Sequence, residues 1–551
     1  MSFHQELAAA AAFAPLALWQ AARSTSIPPI ALVAGIVALI PLLQIATGQI
    51  HFSTDGWMGY LYLMGFALAA HAGAQFRWPA PLPDTKSTTA PPIEAVWSTL
   101  LVAALFSAGI ALHQWLLPGY QGIFIVEIAP ESRPFGNLAQ PNQLATLLFL
   151  GMAGLIYLWE SRRVCAPCAI VAISLLLLAL AMTGSRSVLL AFIWLLPAYA
   201  LMRKQCHLRT SPATVMAAAS FYIFMMWAWP ALDERLLLDT GASSALERMG
   251  TPGIRWVMWQ AMLDAISAAP FFGYGWGQIS IAQIAVTLDH PPTHLLLESS
   301  HNLFIDLTLW NGVPIALLVM VALVWWFLDQ VRRCDDGRKW ASLMGVTAVF
   351  SHAMVEYPLS YAYFLLPVGF FMGALSHAQS QGSLVSKLLP TPQIIRRIMI
   401  GIGISTASLT ASVAIEYFPI EADWSLMRFQ EARIGNLEMT EPPPALVLTG
   451  LQQFLRFSRS EPRLGMTHSE LEFMRRNSER FAYAAPMFKY AVAQAINHQP
   501  QGAANTLRKL CSMHSLDTCH SAKKQWHDLA ENRYPDLLAP FPEAVNVHRK
   551  D

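Results

Sequence analysis

Charged residues are scarce in this sequence: lysine, arginine, aspartate and glutamate make up 13% of its 551 residues, against roughly a quarter in soluble proteins. The charges nearly cancel, to a net +1, so no basic patch indicates nucleic-acid binding. Cysteine is also rare. Cys165 and Cys168 form a close pair, but no second cysteine or histidine pair completes a tetrahedral zinc site. These shortages exclude a single soluble domain and a nucleic-acid-binding protein.

Hydrophobic residues are abundant, at 54% of the chain, and the charges that exist are concentrated at its end. The 135 residues after Glu416 hold 31 of the charged side chains, which is the ordinary density of a globular domain. We therefore predict a membrane domain over 1–416 and a soluble helical domain over 417–551, large enough to build a modest core.

Long apolar segments recur along the first part. A hydrocarbon core of about 30 Å needs roughly 20 apolar residues of helix, and twelve segments approach or meet that length. We expect an all-α fold with about 11–13 membrane-spanning helices. The segments lie near 7–22, 29–47, 57–75, 95–117, 142–159, 166–183, 187–202, 212–232, 302–328, 341–354, 359–377 and 397–416.

Lysine and arginine alternate between the loops, and this alternation predicts the orientation. One set of loops holds 15 basic residues and the opposite set only 5, although the second set contains the longest loop, 233–300. Basic residues favour the cytoplasmic side, so loop 233–300 and the tail lie outside the cytoplasm. There we expect Cys511 and Cys519 to form a disulfide, whereas the other four cysteines stay reduced.

The same orientation places the N-terminus outside if segment 7–22 crosses the membrane. No basic, apolar signal precedes residue 7, so an external start is unusual. We expect either that this segment lies in the membrane interface or that a further apolar helix is encoded upstream of Met1.

Polar residues on the outer side include a run of amides and one arginine. Gln140, Asn142 and Gln143 surround Pro141 at a helix start, where they could cap the helix or bind a ligand. Arg186 stands alone in an outer turn. It could extend to the lipid headgroups or bind an anion through two hydrogen bonds.

Loop 233–300 contains an amphipathic helix and ends at a histidine. The segment 253–270 carries Arg255 near its start and has apolar residues at helical spacing, namely Trp256, Trp259, Leu263 and Ile266. The glycine-rich run 273–277 would let backbone approach a ligand. His301 and Asn302 follow, directly before a span that we expect to contain Asp306. An isolated histidine is usually structural, but His301 lies among external arginines and amides and suits a general base.

A final outer cluster contains His352, Glu356 and Tyr357. The first two are four residues apart and would share a helix face, which favours a buried pair that fixes a helix end. Pro358 forces Tyr357 out of helical geometry, which leaves its hydroxyl as a candidate site group. His290 and His294 do not suit a helical zinc motif, because two prolines separate them.

These motifs together resemble a known superfamily. Arg186, Arg255, the run Gly273-Tyr-Gly-Trp-Gly277, Ser300-His301-Asn302 and Gly312 are similar to the O-antigen ligases and polymerases of bacterial inner membranes. Gln140-Pro-Asn-Gln-Leu144 and His352-Ala-Met-Val-Glu-Tyr-Pro-Leu359 resemble its protein-glycosylating branch, the PglL-type O-oligosaccharyltransferases. The resemblance covers roughly 1–416, with a looser match in the tail.

The resemblance implies the chemistry. Members of that branch move a glycan from undecaprenyl diphosphate to serine or threonine of exported proteins such as pilin, in the periplasm and without a metal or cofactor. It assigns the essential histidine to His301, a functional glutamine and tyrosine to Gln140 and Tyr357, and diphosphate contacts to Arg186 and Arg255. Asn142 joins the substrate-binding set, and His352, Glu356 and Asn302 are secondary or structural.

Three other functions remain open. An O-antigen ligase would use lipid A core as acceptor, and a polymerase would extend another lipid-linked glycan. Against both stands the tail, where 481–495 and 502–510 look like one helix pair of the tetratricopeptide kind. A transporter would carry its polar groups near the bilayer midplane, whereas here only Asp306 is a clear candidate for such a position.

Overall fold

The computed structural model describes residues 2–23, 27–76, 78, 92–117, 119, 124–128, 132–138, 140–236, 238, 254–376, 391–432, 434, 440–535 and 541–542. The regular elements in these ranges are helices, so the predicted all-α fold is confirmed. They are α1 Ser2–Ala21, α2 Pro29–Val37, α3 Leu39–Ala46, α4 Ser53–Ala74, α5 Pro92–Leu116, α6 Pro141–Glu160, α7 Ala166–Met182, α8 Arg186–Met202, α9 Pro212–Leu236, α10 Ile254–Ala268, α11 Ile279–Val286, α12 Leu303–Asn311, α13 Val313–Arg333, α14 Gly337–Ala353, a 3₁₀ turn Pro358–Ser360, α15 Ala362–Leu375, α16 Pro392–Glu431, α17 Thr449–Arg459, α18 His468–Arg480, α19 Ala484–Ile496, α20 Pro500–Met513 and α21 Leu516–Asn532.

Ten of the twelve predicted apolar segments overlap one α-helix each, whereas 29–47 and 302–328 each contain two. The segment 29–47 holds α2 and α3, which follow each other end to end as the apolar stretch Pro29–Ala46. Within the described residues, six helices are long and apolar enough to cross a membrane: Pro29–Ala46, Pro92–Leu116, Pro141–Glu160, Pro212–Leu236, Val313–Arg333 and Pro392–Glu431. The others are shorter or less apolar. The chain is therefore a multi-pass membrane protein, because in lipid a backbone must form its hydrogen bonds within its own helix.

The segment 302–328 differs from the prediction, since it is two helices. Gly312 ends α12 with φ 80° and ψ 165°, a conformation available essentially to glycine alone. A side chain there would also meet the Phe271 carbonyl oxygen. Asp306 consequently lies in the short helix α12 and not, as expected, inside a span.

Contacts divide the chain into two compact units. The first comprises Met1–Val37, Tyr62–Pro252 and Ala322–Ala407. Its centre is the fully buried Trp97 of α5, whose ring stacks on Phe371 of α15 with centroids 3.8 Å apart. Gly154 and Gly345 make room for this indole, because a Cβ on either would lie 2.8 Å from an atom of Trp97. Small residues allow such close approach of helices in lipid.

The second unit comprises Ala38–Leu61, Gly253–Val321 and Ser408–Asp551. Near its C-terminal end α19 packs against α20, which is the helix pair expected in the tail. Ala491, Ile496 and Leu507 in their shared core are fully buried. The expected disulfide between Cys511 and Cys519 is confirmed. The last predicted span is longer than its apolar segment, since α16 continues through Glu416 for 40 residues in all.

Candidate active site

His301 lies in the loop that precedes α12, in the second unit. Its backbone is left-handed, with φ 58°, which is uncommon for a residue with a side chain. The next residue, Asn302, caps α12: its side-chain oxygen accepts from the backbone N–H groups of Phe304 and Ile305 at 3.0 and 3.2 Å. A strained residue held next to a capped helix is typical of functional positions.

The carboxylate of Asp306 holds this loop in place. It accepts from the Ser299 hydroxyl at 2.7 Å and from the Ser300 backbone N–H at 2.8 Å. Ser299 Oγ in turn accepts from the backbone N–H of His301 at 3.0 Å. Asp306 is 4% exposed, and burial raises the pKa of its carboxyl. The left-handed turn at His301 is thus fixed by a buried acidic group one helical turn further along.

Helix α10 reaches the same loop. The Trp259 indole donates to the Ser300 carbonyl oxygen at 2.8 Å, and Arg255 lies one turn earlier on that helix face. The helix has the predicted position, but its buried face is different: Met262 is fully buried, whereas Leu263, expected on the apolar face, is 54% exposed. Arg255 and the residue before His301 therefore belong to one neighbourhood.

The glycine-rich run 273–277 approaches protein backbone. A Cβ on Gly273 would meet the Leu309 carbonyl oxygen, and the backbone N–H of Tyr274 donates to that oxygen at 2.6 Å. The close approach expected toward a ligand is in this structure an approach to the end of α12. Together with Gly312, the run fixes the helix that follows His301.

In the first unit, α6 and the residue before it are joined to the last turn of α14 and the segment after it by three side-chain pairs. Gln140 Nε2 donates to Tyr357 Oη at 3.0 Å, and Asn142 Nδ2 donates to Glu356 Oε1 at 2.6 Å. Below them, the Thr146 hydroxyl and His352 Nδ1 are 2.5 Å apart. Gln140 makes no side-chain hydrogen bond that caps α6, so its amide is free to donate to the Tyr357 hydroxyl.

Tyr357 lies outside helical geometry, with φ −123° and ψ 49°, as the following proline predicts. His352 and Glu356 are both buried, at 4% and 5% exposed, and each contacts a polar side chain of α6 in the pairs described above.

Arg186 is the first residue of α8; its side chain lies outside the described residues. The turn before it is buried and polar. Arg133 donates to the Thr183 carbonyl oxygen at 2.5 Å, and the hydroxyls of Ser185 and Ser187 are 2.7 Å apart.

Metal-ligating side chains do not gather in threes anywhere in the part of the chain that the structure describes. His294 Nδ1 lies 2.9 Å from the His514 carbonyl oxygen, and His290 pairs with Asp264 at 2.9 Å. These two histidines are therefore directed to different partners.

Asp306 and Trp259 contribute to the site, but the sequence does not predict their roles there. The apolar run continues past Asp306 and so predicts a span there, and Trp259 is expected as part of an apolar stripe. Neither has a sequence signal beyond its nearness to His301 or Arg255. Their roles depend on contacts between separate segments, which spacing does not show.

Known proteins are similar to this chain along most of its length. Residues 170–320 match the family described as O-antigen ligase, residues 134–159 match protein glycosylation ligase, and residues 340–527 match the C-terminal part of virulence factor membrane-bound polymerase. The general O-oligosaccharyltransferase of Acinetobacter baylyi is 29% identical over 94% of this chain and 89% of its own length. The similarity to O-oligosaccharyltransferases and to the O-antigen ligase family therefore extends along almost the whole chain.

The names of these relatives and the protein glycosylation ligase match indicate an enzyme, a glycosyltransferase that acts in protein glycosylation. The ComP-specific O-oligosaccharyltransferase of A. baylyi is 28% identical over 63% of this chain and 61% of its own length. The family matches cover all the candidate residues. The glycosylation ligase match contains Gln140 and Asn142, the O-antigen ligase match contains Arg186, Arg255 and His301, and the polymerase match contains the segment with Tyr357.

Proposed function

We propose that this enzyme transfers an oligosaccharide from undecaprenyl diphosphate to serine or threonine hydroxyls of exported proteins such as pilin, without a metal. The similar proteins support the protein acceptor, since both are named O-oligosaccharyltransferases. The membrane-spanning helices support a lipid-linked donor, because a glycan attached to a polyprenyl chain is presented at the bilayer surface.

His301 acts as the general base in this proposal. A hydroxyl is a poor nucleophile until a base takes its proton, and a histidine titrates in the neutral range. The assignment rests on how firmly the position of His301 is fixed. Its backbone is left-handed, a capped helix follows it, and the buried Asp306 holds its loop. A direct attack on the anomeric carbon would invert it.

Arg186 and Arg255 hold the diphosphate. A diphosphate diester carries about two negative charges, and guanidinium groups bind phosphate oxygens through paired hydrogen bonds that also stabilise the leaving group. Gln140, Asn142 and Tyr357 complete the substrate-binding set. His352, Glu356 and Asn302 act behind them by fixing the ends of their helices.

The proposal also assigns the compartments. The enzyme lies in the bacterial inner membrane, with 1–416 as the glycosyl-transfer domain, and loop 233–300 together with the helical domain 417–551 lies in the periplasm. The disulfide in the tail supports this orientation, since the periplasm is oxidising and the cytoplasm is reducing.

Transfer of a purified lipid-linked glycan to a pilin acceptor and to a lipid A core acceptor, measured side by side, tests this function. We expect transfer to the protein, and His301→Ala should lower its rate by about 10²- to 10⁴-fold, the usual contribution of a general base, while donor binding is retained. His520→Ala, at an exposed histidine of α21, is the matched control and should transfer normally.

Arg186→Lys and Arg255→Lys should both weaken transfer, because lysine keeps the charge but loses paired hydrogen bonding. Arg463→Lys, at an arginine that is 64% exposed, should be neutral. Wild-type turnover in His301→Ala would refute the base assignment, and transfer only to lipid A core would make the enzyme an O-antigen ligase.

A further inference from the structure

Four tyrosines, one carboxylate and one amide meet at one place in the first unit. Tyr361 stacks on Tyr357 with ring centroids 6.0 Å apart and lies 5.3 Å from the ring of Tyr363. Tyr363 donates from its hydroxyl to Gln143 Oε1 at 3.0 Å. We name the tyrosine cluster by its members: Tyr62, Tyr357, Tyr361 and Tyr363, which are all half-buried.

Glu6 of α1 closes this cluster. Its Oε2 accepts from the backbone N–H of Ala362 at 2.5 Å, at the start of the helix that carries Tyr363. The hydroxyl of Tyr62 lies beside the same carboxylate. A carboxylate at a helix N-terminus is favourably placed, so the bond to Ala362 accounts for the position of Glu6 Oε2.

The other polar atoms are not accounted for by the protein. Glu6 Oε1 and Gln143 Nε2 are both buried, and neither makes a regular hydrogen bond within the described residues. Gln143 is only 3% exposed, and its amide group lies near the Tyr361 hydroxyl. A buried polar atom left without a partner is costly. One acceptor and one donor are therefore available to a ligand.

The chemistry of the cluster selects the kind of ligand. Tyrosine rings offer apolar faces with polar ends, and the open acceptor and donor suit a hydroxyl and a carbonyl or ring oxygen. A sugar ring presents these same features: an apolar C–H face and a rim of hydroxyls. The cluster contains no arginine or lysine that could pair with a diphosphate, and a prenyl chain cannot satisfy the polar atoms.

We propose that Glu6, Gln143, Tyr361 and Tyr363 form a subsite that binds the donor sugar next to the diphosphate. The inference rests on the proposed function, and it adds a determinant of which glycans are transferred. The neighbouring pair Gln140 and Tyr357, assigned to substrate above, places the subsite on the donor side. Glu6 accepts from a sugar hydroxyl, and Gln143 donates to a sugar oxygen.

Glu6→Gln and Tyr363→Phe test the subsite, because each keeps the shape of the side chain. The first replaces the open acceptor by an amide, and the second removes the hydroxyl that orients Gln143. We expect each to raise the KM for a lipid diphosphate monosaccharide about tenfold, the usual effect of leaving one buried polar group unsatisfied, with the KM for the protein acceptor unchanged. Inhibition by the same lipid diphosphate without a sugar should also be unchanged.

Glu461→Gln and Tyr417→Phe are the matched controls, since Glu461 is exposed and Tyr417 donates to Glu421 on its own helix. Equal weakening of the sugar-bearing and sugar-free lipids, or a rise only in the acceptor KM, would overturn the proposal, and so would wild-type kinetics. These outcomes are distinguishable from failure of the proposed function, in which the wild-type enzyme itself transfers no glycan to protein.

Discussion

His301 depends for its position on groups outside its own loop. One such group is the Asp306 carboxylate. Ser299 Oγ links it to His301, because this hydroxyl donates to Asp306 and accepts from the His301 backbone N–H. Asp306 is thus a positioning residue: it does not need to touch substrate to affect the rate. A displacement of about 1 Å at a reacting group is enough to slow a reaction about a hundredfold.

Asp306→Asn should lower kcat about tenfold while the KM for donor and acceptor stays near that of wild type. The amide keeps the volume but adds two N–H donors, so the Ser299 hydroxyl loses an acceptor and its bond to His301 loosens. Steady-state kinetics of the purified variant measure kcat and the two KM values separately. Thr308→Val is the control, since Thr308 is buried on the same helix and donates only to the Phe304 carbonyl within it. A change in KM without a change in kcat would contradict the positioning role.

The break between α12 and α13 shows how an element boundary supports the site. The backbone N–H of Val313 donates to the Pro270 carbonyl oxygen at 2.7 Å, and that of Tyr274 donates to Leu309 at 2.6 Å. The end of α12 is thus paired with the chain that leaves α10. Glycine is required at residue 312, where φ is positive and the Phe271 backbone lies against the Cα.

Gly312→Ala should destabilise the protein by more than the strain of a positive φ, which costs about 1–3 kcal/mol. Gly465→Ala is the matched control, because Gly465 has φ +75° and no atom lies within 4 Å of the place that a Cβ would take, whereas Gly312 has φ +80° and a backbone obstruction. Thermal unfolding in detergent gives the difference between the two variants. Equal losses would show that the contact with Phe271 contributes nothing.

The accessibility of the cysteines to a thiol reagent tests the orientation of the chain in the membrane. Cys165 and Cys168 are exposed, whereas Cys206 and Cys334 are buried, and Cys511 and Cys519 are joined to each other. A thiol reagent therefore reaches only one native pair in the folded, unreduced protein. That pair lies at the start of α7, on the side assigned to the cytoplasm.

An impermeant maleimide should label no native cysteine in intact spheroplasts and should label Cys165 and Cys168 after permeabilisation. Leu464→Cys, at a side chain that is 59% exposed in the tail, should be labelled without permeabilisation and is the control for access. Labelling of Cys165 or Cys168 in intact spheroplasts would reverse the orientation, and the periplasmic assignment of the tail would then be wrong.

The positions of the long apolar helices can be predicted from the residues of each segment alone. In lipid an apolar run must form its own hydrogen bonds, so length and hydrophobicity are enough to locate a helix such as α5 or α9. Local rules also predicted the non-helical Tyr357 before its proline and the pairing of two nearby cysteines, Cys511 and Cys519. Each of these conclusions depends on neighbours within a few residues.

The contacts between distant polar groups, in contrast, depend on how the helices pack. Gln140 and Tyr357 are 217 residues apart in sequence, and nothing in either segment specifies the other. The same holds for Glu6 and Ala362, and for Trp259 and Ser300. The apolar run around Asp306 predicts one continuous span, because hydropathy does not indicate a backbone turn such as the one at Gly312. Local periodicity is set by one helix, whereas a site is assembled from several, and their packing follows from side-chain shape across the whole unit.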